Sequence, residues 1–246
     1  MEKKPLTELN TASLENILNS WGQDQVIFQS EAQFQFNLAW KFQELYDCET
    51  KLEDLSVVVT RENKLMQKVY TDIVLVKGDY FIAIELKYKT ATLEYNDILL
   101  FNHGAADLGR YDFLWDVNRL ELLVDPTKAE REQNLAKTGK IDVRRRYCKK
   151  GFAVLLTNEN DYWQQGYSDS NITIDNAFRF GESNGRLYSK TLDWRRDSHG
   201  EYTKAIKGTA RGRSIVLNEV YPVQWKPYCE LPAEKNNVFK YLIIEV

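Results

Sequence analysis

Three charged side chains stand inside two apolar runs between Tyr70 and Lys89, YTDIVLVKGDYFIAIELKYK: Asp72 in the first run, Glu85 and Lys87 in the second. An unpaired charge buried in an apolar strand is costly, so each of these residues needs a partner or a task. Side chains alternate along a strand. Glu85 and Lys87 therefore share a face with Phe81 and Ala83, and Asp72 shares one with Val74 and Val76. Folded back across Lys77-Gly78-Asp79, the two runs make a hairpin in which Asp72 approaches Glu85 and Lys87. Two carboxylates meeting at one point are hard oxygen ligands suited to Mg2+ or Mn2+. A metal held there polarises a phosphate and acidifies a bound water. A lysine beside it positions or activates that water and stabilises the negative charge of the transition state. The competing reading is a surface hairpin whose Asp and Glu–Lys pair face water.

The elements around the hairpin decide whether these residues can meet. Ser30 and Gln33 form a capping box ahead of Phe34, Leu38, Phe42 and Leu45, which predicts a helix over 30–46. Residues 1–29 read as an amphipathic lead-in with a short helix near 13–18. Strands are predicted over 54–60, 69–77 and 80–89, and again over 151–157, GFAVLLT. Residues 96–123 read as helical, in two pieces if broken near His103-Gly104 or Leu108-Gly109, with Leu114, Val117, Leu120 and Leu123 as an apolar stripe. Residues 125–150 are polar and basic, and read as a loop or helix. Residues 160–235 carry many turn signals and predict short strands and loops, and 238–246 a final strand. The order is helix, three strands, helix, strand, an α/β arrangement with a mixed sheet.

Asp72, followed 13 residues later by Glu85-Leu86-Lys87, resembles the signature of the PD-(D/E)xK nuclease superfamily, which includes restriction endonucleases, junction resolvases and recombination exonucleases. Thr71 stands where the signature has proline. The likeness covers roughly residues 30–158, through element order rather than identity. It implies a single domain over 1–246 with a restriction endonuclease-like αβββαβ core, a mixed central sheet flanked by helices, and a C-terminal elaboration over 159–246. It further implies Asp72, Glu85 and the Leu86 backbone carbonyl as ligands of Mg2+ or Mn2+, with Lys87 catalytic. Glu31, in the first turn of the first core helix, matches a position that in many members joins the metal, although the helix dipole alone favours an acid there. The function implied is metal-dependent hydrolysis of nucleic-acid phosphodiesters, with DNA the expected substrate and a homodimer one possible assembly. The alternative is a catalytically inactive nuclease-fold module that binds nucleic acid or a protein partner.

A net charge of −3 excludes a protein that coats DNA through overall basicity, so contacts to phosphate must be local. The candidates are Lys140, Arg144, Arg145 and Arg146 in one basic run, and Lys207 and Arg211 in another; each run reads equally well as a solvated loop. Arg110 and Arg119 either reach a phosphate or join structural ion pairs. Tyr162 and Trp163 either stack on bases or pack beneath the C-terminal region. His103 and His199 are isolated, and no glycine-rich phosphate loop marks a nucleotide enzyme. Cys48, Cys148 and Cys229 are odd in number and widely spaced, which argues against zinc and disulfides and for a reducing, cytoplasmic compartment. The first residues lack the apolar stretch of a secretory leader, and no run is long enough for a membrane span.

Overall fold

Asn10 and Ser30 start the first two helices by accepting backbone N–H groups that a helix leaves unpaired. Helix α1 is Thr11–Gln23, capped by Asn10 through Ser13 N–H, and α2 is Glu31–Leu45. The Ser30 hydroxyl accepts Gln33 N–H at 3.1 Å, while the Gln33 side chain accepts Gln29 N–H at 2.6 Å, closing the box one residue earlier than a reciprocal bond to Ser30. The computed structural model describes residues 2–59, 66–124, 147–170, 173–187, 190–196, 206 and 209–246, with the backbone alone for 55–59 and 66–69.

The central strands are β1 (Glu49–Val59), β2 (Met66–Lys77), β3 (Tyr80–Lys89), β4 (Tyr147–Thr157), β5 (Lys226–Glu230) and β6 (Val238–Glu245). They form one six-stranded sheet in the order β5-β6-β4-β3-β2-β1. The β3–β4 pair is parallel and the other neighbours are antiparallel. A parallel pair needs a crossover connection, and helix α3 (Ala106–Leu123) lies in that connection. The two strands β5 and β6 come from the C-terminal region, which thus shares one sheet with the helix, three strands, helix, strand series.

Strand alternation divides the apolar residues between two layers. Ile73, Leu75, Ile82, Ile84, Leu86 and Tyr88 face α1 and α2, where Leu14, Leu18, Phe34, Leu38 and Phe42 are buried. Ala83, Ala153, Leu155, Leu242 and Ile244 face α3 and the C-terminal segments, among Phe113, Leu114, Val117 and Leu120. Helix α1 comes so close to β5 that a Cβ on Gly22 would lie 1.9 Å from the Tyr228 carbonyl oxygen. Backbone cannot swing aside as a side chain can. Gly22→Ala is therefore expected to destabilise the fold by about 1–3 kcal/mol, read as a lower urea midpoint at unchanged slope.

Four expectations need correction, the first being that strand β4 starts at Tyr147, inside the stretch read as a loop or helix, rather than at 151. Strand β1 starts at Glu49 rather than at 54. The stretch expected to begin a helix at 96 instead forms a hairpin, Leu93–Tyr95 against Ile98–Leu100, turned by Asn96 at φ 51°. Asparagine tolerates that left-handed conformation, so Asn96-Asp97 is a turn signal that wins over the helical pattern. The helix begins only at Ala106, after His103-Gly104, and runs unbroken through Gly109, where the Tyr162 hydroxyl packs against it. The last described segments fold as short strands and 3-10 turns, with Lys190–Leu192 paired to Ile215–Leu217 and Arg186–Leu187 to Tyr221–Pro222.

Candidate active site

The ladder between β2 and β3 runs from Lys77↔Tyr80 to Ile73↔Ile84 and stops. Beyond it β2 stays with β1 through Asp54↔Thr71, and β3 stays with β4 from Glu85↔Ala153 to Lys89↔Thr157. The two strands therefore part at Asp72 and Glu85, the next residues along. Buried backbone groups left without a strand partner must be met in another way. Asp72 Oδ2 accepts Leu86 N–H at 2.7 Å, and Glu31 Oε2 accepts Tyr88 N–H at 2.7 Å. Gln35 donates to the Asp72 carbonyl at 2.6 Å, and Arg119 donates to the Tyr70 carbonyl at 2.6 Å. Glu31 and Gln35 are four residues apart, one turn of α2, so a single helix edge grips β3 and β2 on the two arms of the fork.

From the opposite layer α3 brings Asp116 and Arg119, three residues apart and so on one helical face. Lys87 Nζ lies 2.5 Å from Asp116 Oδ2 and donates to the Leu86 carbonyl at 3.1 Å. Arg119 Nη2 donates to Glu85 Oε1, and its Nη1 lies 3.4 Å from Asp116 Oδ1. Glu85 is 2% exposed and Asp116 3%. Burial pushes the Glu85 carboxyl well above its usual range; Asp116 and Asp72 repel it further, and Arg119 offsets this only in part. Burial likewise raises Asp116, moderated by Lys87 and Arg119. For Lys87, burial acts downward, but Asp116, Glu31 and Asp72 outweigh it and hold the ammonium above its usual value. Lys87 is thus a cation at neutral pH, a group that offers charge and N–H donors rather than a base.

Four carboxylates, Glu31, Asp72, Glu85 and Asp116, interact here with two cations, Lys87 and Arg119. The donors near the fork are all oxygen, as Mg2+ or Mn2+ requires. Asp72 Oδ1, Glu85 Oε2 and Glu31 Oε1 make no hydrogen bond among the described residues. No three His, Cys, Asp or Glu side chains are placed to hold a metal together among the described residues. Mg2+ does not need such a cage, since one or two carboxylates, substrate phosphate and water complete its shell. Asp72, Glu85 and the Leu86 carbonyl fit that kind of site, with Arg119 now on one Glu85 oxygen and Lys87 on the carbonyl.

Comparison of the chain with protein-family models, curated proteins and solved structures found no match.

The structure brings Asp72, Glu85, Leu86 and Lys87 together and sets Glu31 at the edge of the group, engaged with Tyr88. Lys140, Arg144, Arg145, Arg146 and Lys207 lie outside the described residues. Arg211 is described and holds Asp112 through two bonds of 2.7 and 2.8 Å, so one edge of its guanidinium is engaged within the fold. Arg110 takes the structural of its two readings, in a buried pair with Asp175. Tyr162 and Trp163 are buried and pack under the C-terminal region rather than presenting faces for stacking. His103 accepts Thr90 N–H, and all three cysteines are free thiols. No described helix is long and apolar enough to cross a membrane. Asp116 is the residue that sequence reasoning missed. The available signal was Asp116 and Arg119 flanking Val117 on the apolar side of a helix, which places charge where a core is expected.

Proposed function

We propose that the chain is a metal-dependent nuclease with a restriction endonuclease-like core, hydrolysing phosphodiester bonds of nucleic acid, with DNA as substrate. The observation that carries this reading is the parting of β2 and β3 at Asp72 and Glu85, with Lys87 on the same face. Beyond Ile73↔Ile84 the ladder no longer pairs the two strands, and Asp72 and Glu85 stand on facing strands just past its end, with Glu85 buried under Arg119. Asp72, Glu85 and the Leu86 carbonyl would hold the ion, which when bound supplies Lewis acidity toward a phosphate oxygen and a water. Asp72 also fixes the start of the ligand-bearing turn of β3 through Leu86 N–H. The Lys87 ammonium faces the developing negative charge and orients the attacking water through its N–H groups. Asp116 holds that ammonium in place, and Glu31, tied to Tyr88, keeps β3 open while adding negative potential at Lys87. The three free thiols suit a reducing, cytoplasmic setting.

The test is cleavage of labelled duplex and single-stranded DNA, and of RNA, with Mg2+ or Mn2+. Asp72→Asn keeps an acceptor for Leu86 N–H but loses the charge. It is expected to cut the rate at least about a hundredfold while the protein stays folded. Equal cleavage by wild type and variant would sink the assignment. A second reading, a catalytically inactive module of the same fold, draws on the ionic partners that Glu85 and Lys87 already have in Arg119 and Asp116. Salt-dependent DNA binding that needs no metal and yields no cleavage would favour it.

A further inference from the structure

Arg119 is the cation in contact with Glu85. Its Nη2 also bonds the Tyr70 carbonyl, its Nη1 is near Asp116, and its buried Nε has no hydrogen-bond partner among the described residues. The Arg119 side chain is 23% exposed and the Glu85 side chain 2%, so the guanidinium covers the carboxylate from the solvent side. A Glu85 oxygen held by a guanidinium cannot give the same lone pair to a metal, and two cations at that spacing repel each other.

We propose that Arg119 is the resident counter-ion of Glu85, that a divalent cation displaces it, and that the freed guanidinium turns to a non-bridging oxygen of the scissile phosphate. This rests on the nuclease reading above. Two features support the exchange. Asp116 lies beside both Arg119 and Lys87, so a guanidinium released from Glu85 stays tethered at the site instead of leaving it. The unbonded Nε and the released Nη2 form one edge of the planar fork, the shape that pairs two N–H donors with phosphate. Metal binding is thereby linked to delivery of a phosphate-binding cation, and apparent metal affinity is lower than the carboxylates alone would give.

The experiment measures Mn2+ binding by titration calorimetry, together with DNA cleavage at saturating Mn2+, for wild type, Arg119→Gln and Arg119→Lys. Removing the competing cation is expected to tighten Mn2+ binding by about tenfold or more in Arg119→Gln. Cleavage by the Mn2+-saturated variant is expected to fall. Arg119→Lys keeps the charge and loses the fork; its Mn2+ affinity should lie between the two while its cleavage falls. That variant carries the test if Arg119→Gln does not fold. Adding Asp72→Ala to Arg119→Gln should abolish the tightened binding, which ties it to this site. Mn2+ binding no tighter in either Arg119 variant than in wild type overturns the exchange and leaves the nuclease reading standing. Tighter binding with no cleavage by any protein supports displacement of Arg119 by the metal, overturns its delivery to a scissile phosphate and sinks the nuclease reading. No Mn2+ binding by wild type or the variants overturns both.

Discussion

Lys87→Ala is expected to lower the cleavage rate roughly 10²–10³-fold at saturating metal and DNA, because among the described residues no other side chain places an ammonium on that face of the fork. The same change has a second consequence. Asp116 is 5% exposed at its side chain and loses the cation 2.5 Å away. Leaving one partner of a buried pair wholly uncompensated costs about 3–5 kcal/mol, and because Arg119 Nη1 stays 3.4 Å from the other Asp116 oxygen the loss is expected at or below the lower end of that range. A fall in activity alone would thus confound chemistry with folding. The double variant Lys87→Ala/Asp116→Asn separates them, since the neutral amide no longer needs a counter-ion. Its urea midpoint should return most of the way to wild type while cleavage stays at the level of the single variant. If cleavage returns as well, Lys87 serves only to neutralise Asp116 and has no part in the reaction.

The second large effect lies at the other end of α3. Arg110 gives Nε at 3.1 Å and Nη2 to Asp175 Oδ2, Nη1 to the Asp161 carbonyl at 3.2 Å, and lies over the Tyr162 ring. Both partners are buried, 3% and 4% exposed at their side chains. This pair binds the C-terminal region to the helix that carries Asp116 and Arg119. Arg110→Ala is expected to destabilise the protein by about 3–5 kcal/mol. Burial pushes the Asp175 carboxyl upward, but Arg110 and Arg179 outweigh it and hold the group below its usual value. A carboxyl depressed in the folded state adds stability above its unfolded value, and that stability is lost as pH falls through the folded one. The stability gap between wild type and Asp175→Asn should therefore be full at pH 7 and shrink progressively below about pH 4. Urea unfolding across that range measures it; a gap that widens on acidification would contradict the assigned ion pair.

Strand alternation carried the sequence reading furthest. It put Asp72, Glu85 and Lys87 on one face, and the antiparallel register Val74↔Ala83 and Val76↔Phe81 has that parity. The Ser30 cap was legible for the same reason, being a local hydrogen bond with a fixed spacing. The parting of the strands was not legible, because it depends on which neighbour each strand keeps, β1 for β2 and β4 for β3. Nor was the part played by Asp116. A charge on a helix declares its partner only when the helix is laid on the sheet, and Lys87 is 29 residues away in sequence. The C-terminal region left little trace, because strands such as Arg186–Leu187 and Tyr221–Pro222 are too short to show a period. Its strong strand over 238–245 was readable, but its place beside β4 was not.

That place governs the order in which the chain can acquire its structure. Strand β6 lies between β4 and β5, and Glu245 takes both the backbone N–H and the hydroxyl of Thr11, 234 residues earlier, at 3.1 and 2.7 Å. Until β6 docks, β4 lacks one neighbour and the apolar residues Leu242 and Ile244 have nothing to cover. Bringing such distant segments together spends chain entropy before contacts return it. Folding is accordingly expected in the slow, millisecond-to-second regime of sheets built from non-local pairs. In the interval the unpaired edge of β4 is the segment most exposed to pairing with another chain, which makes the arrival of β6 the step that decides between folding and aggregation.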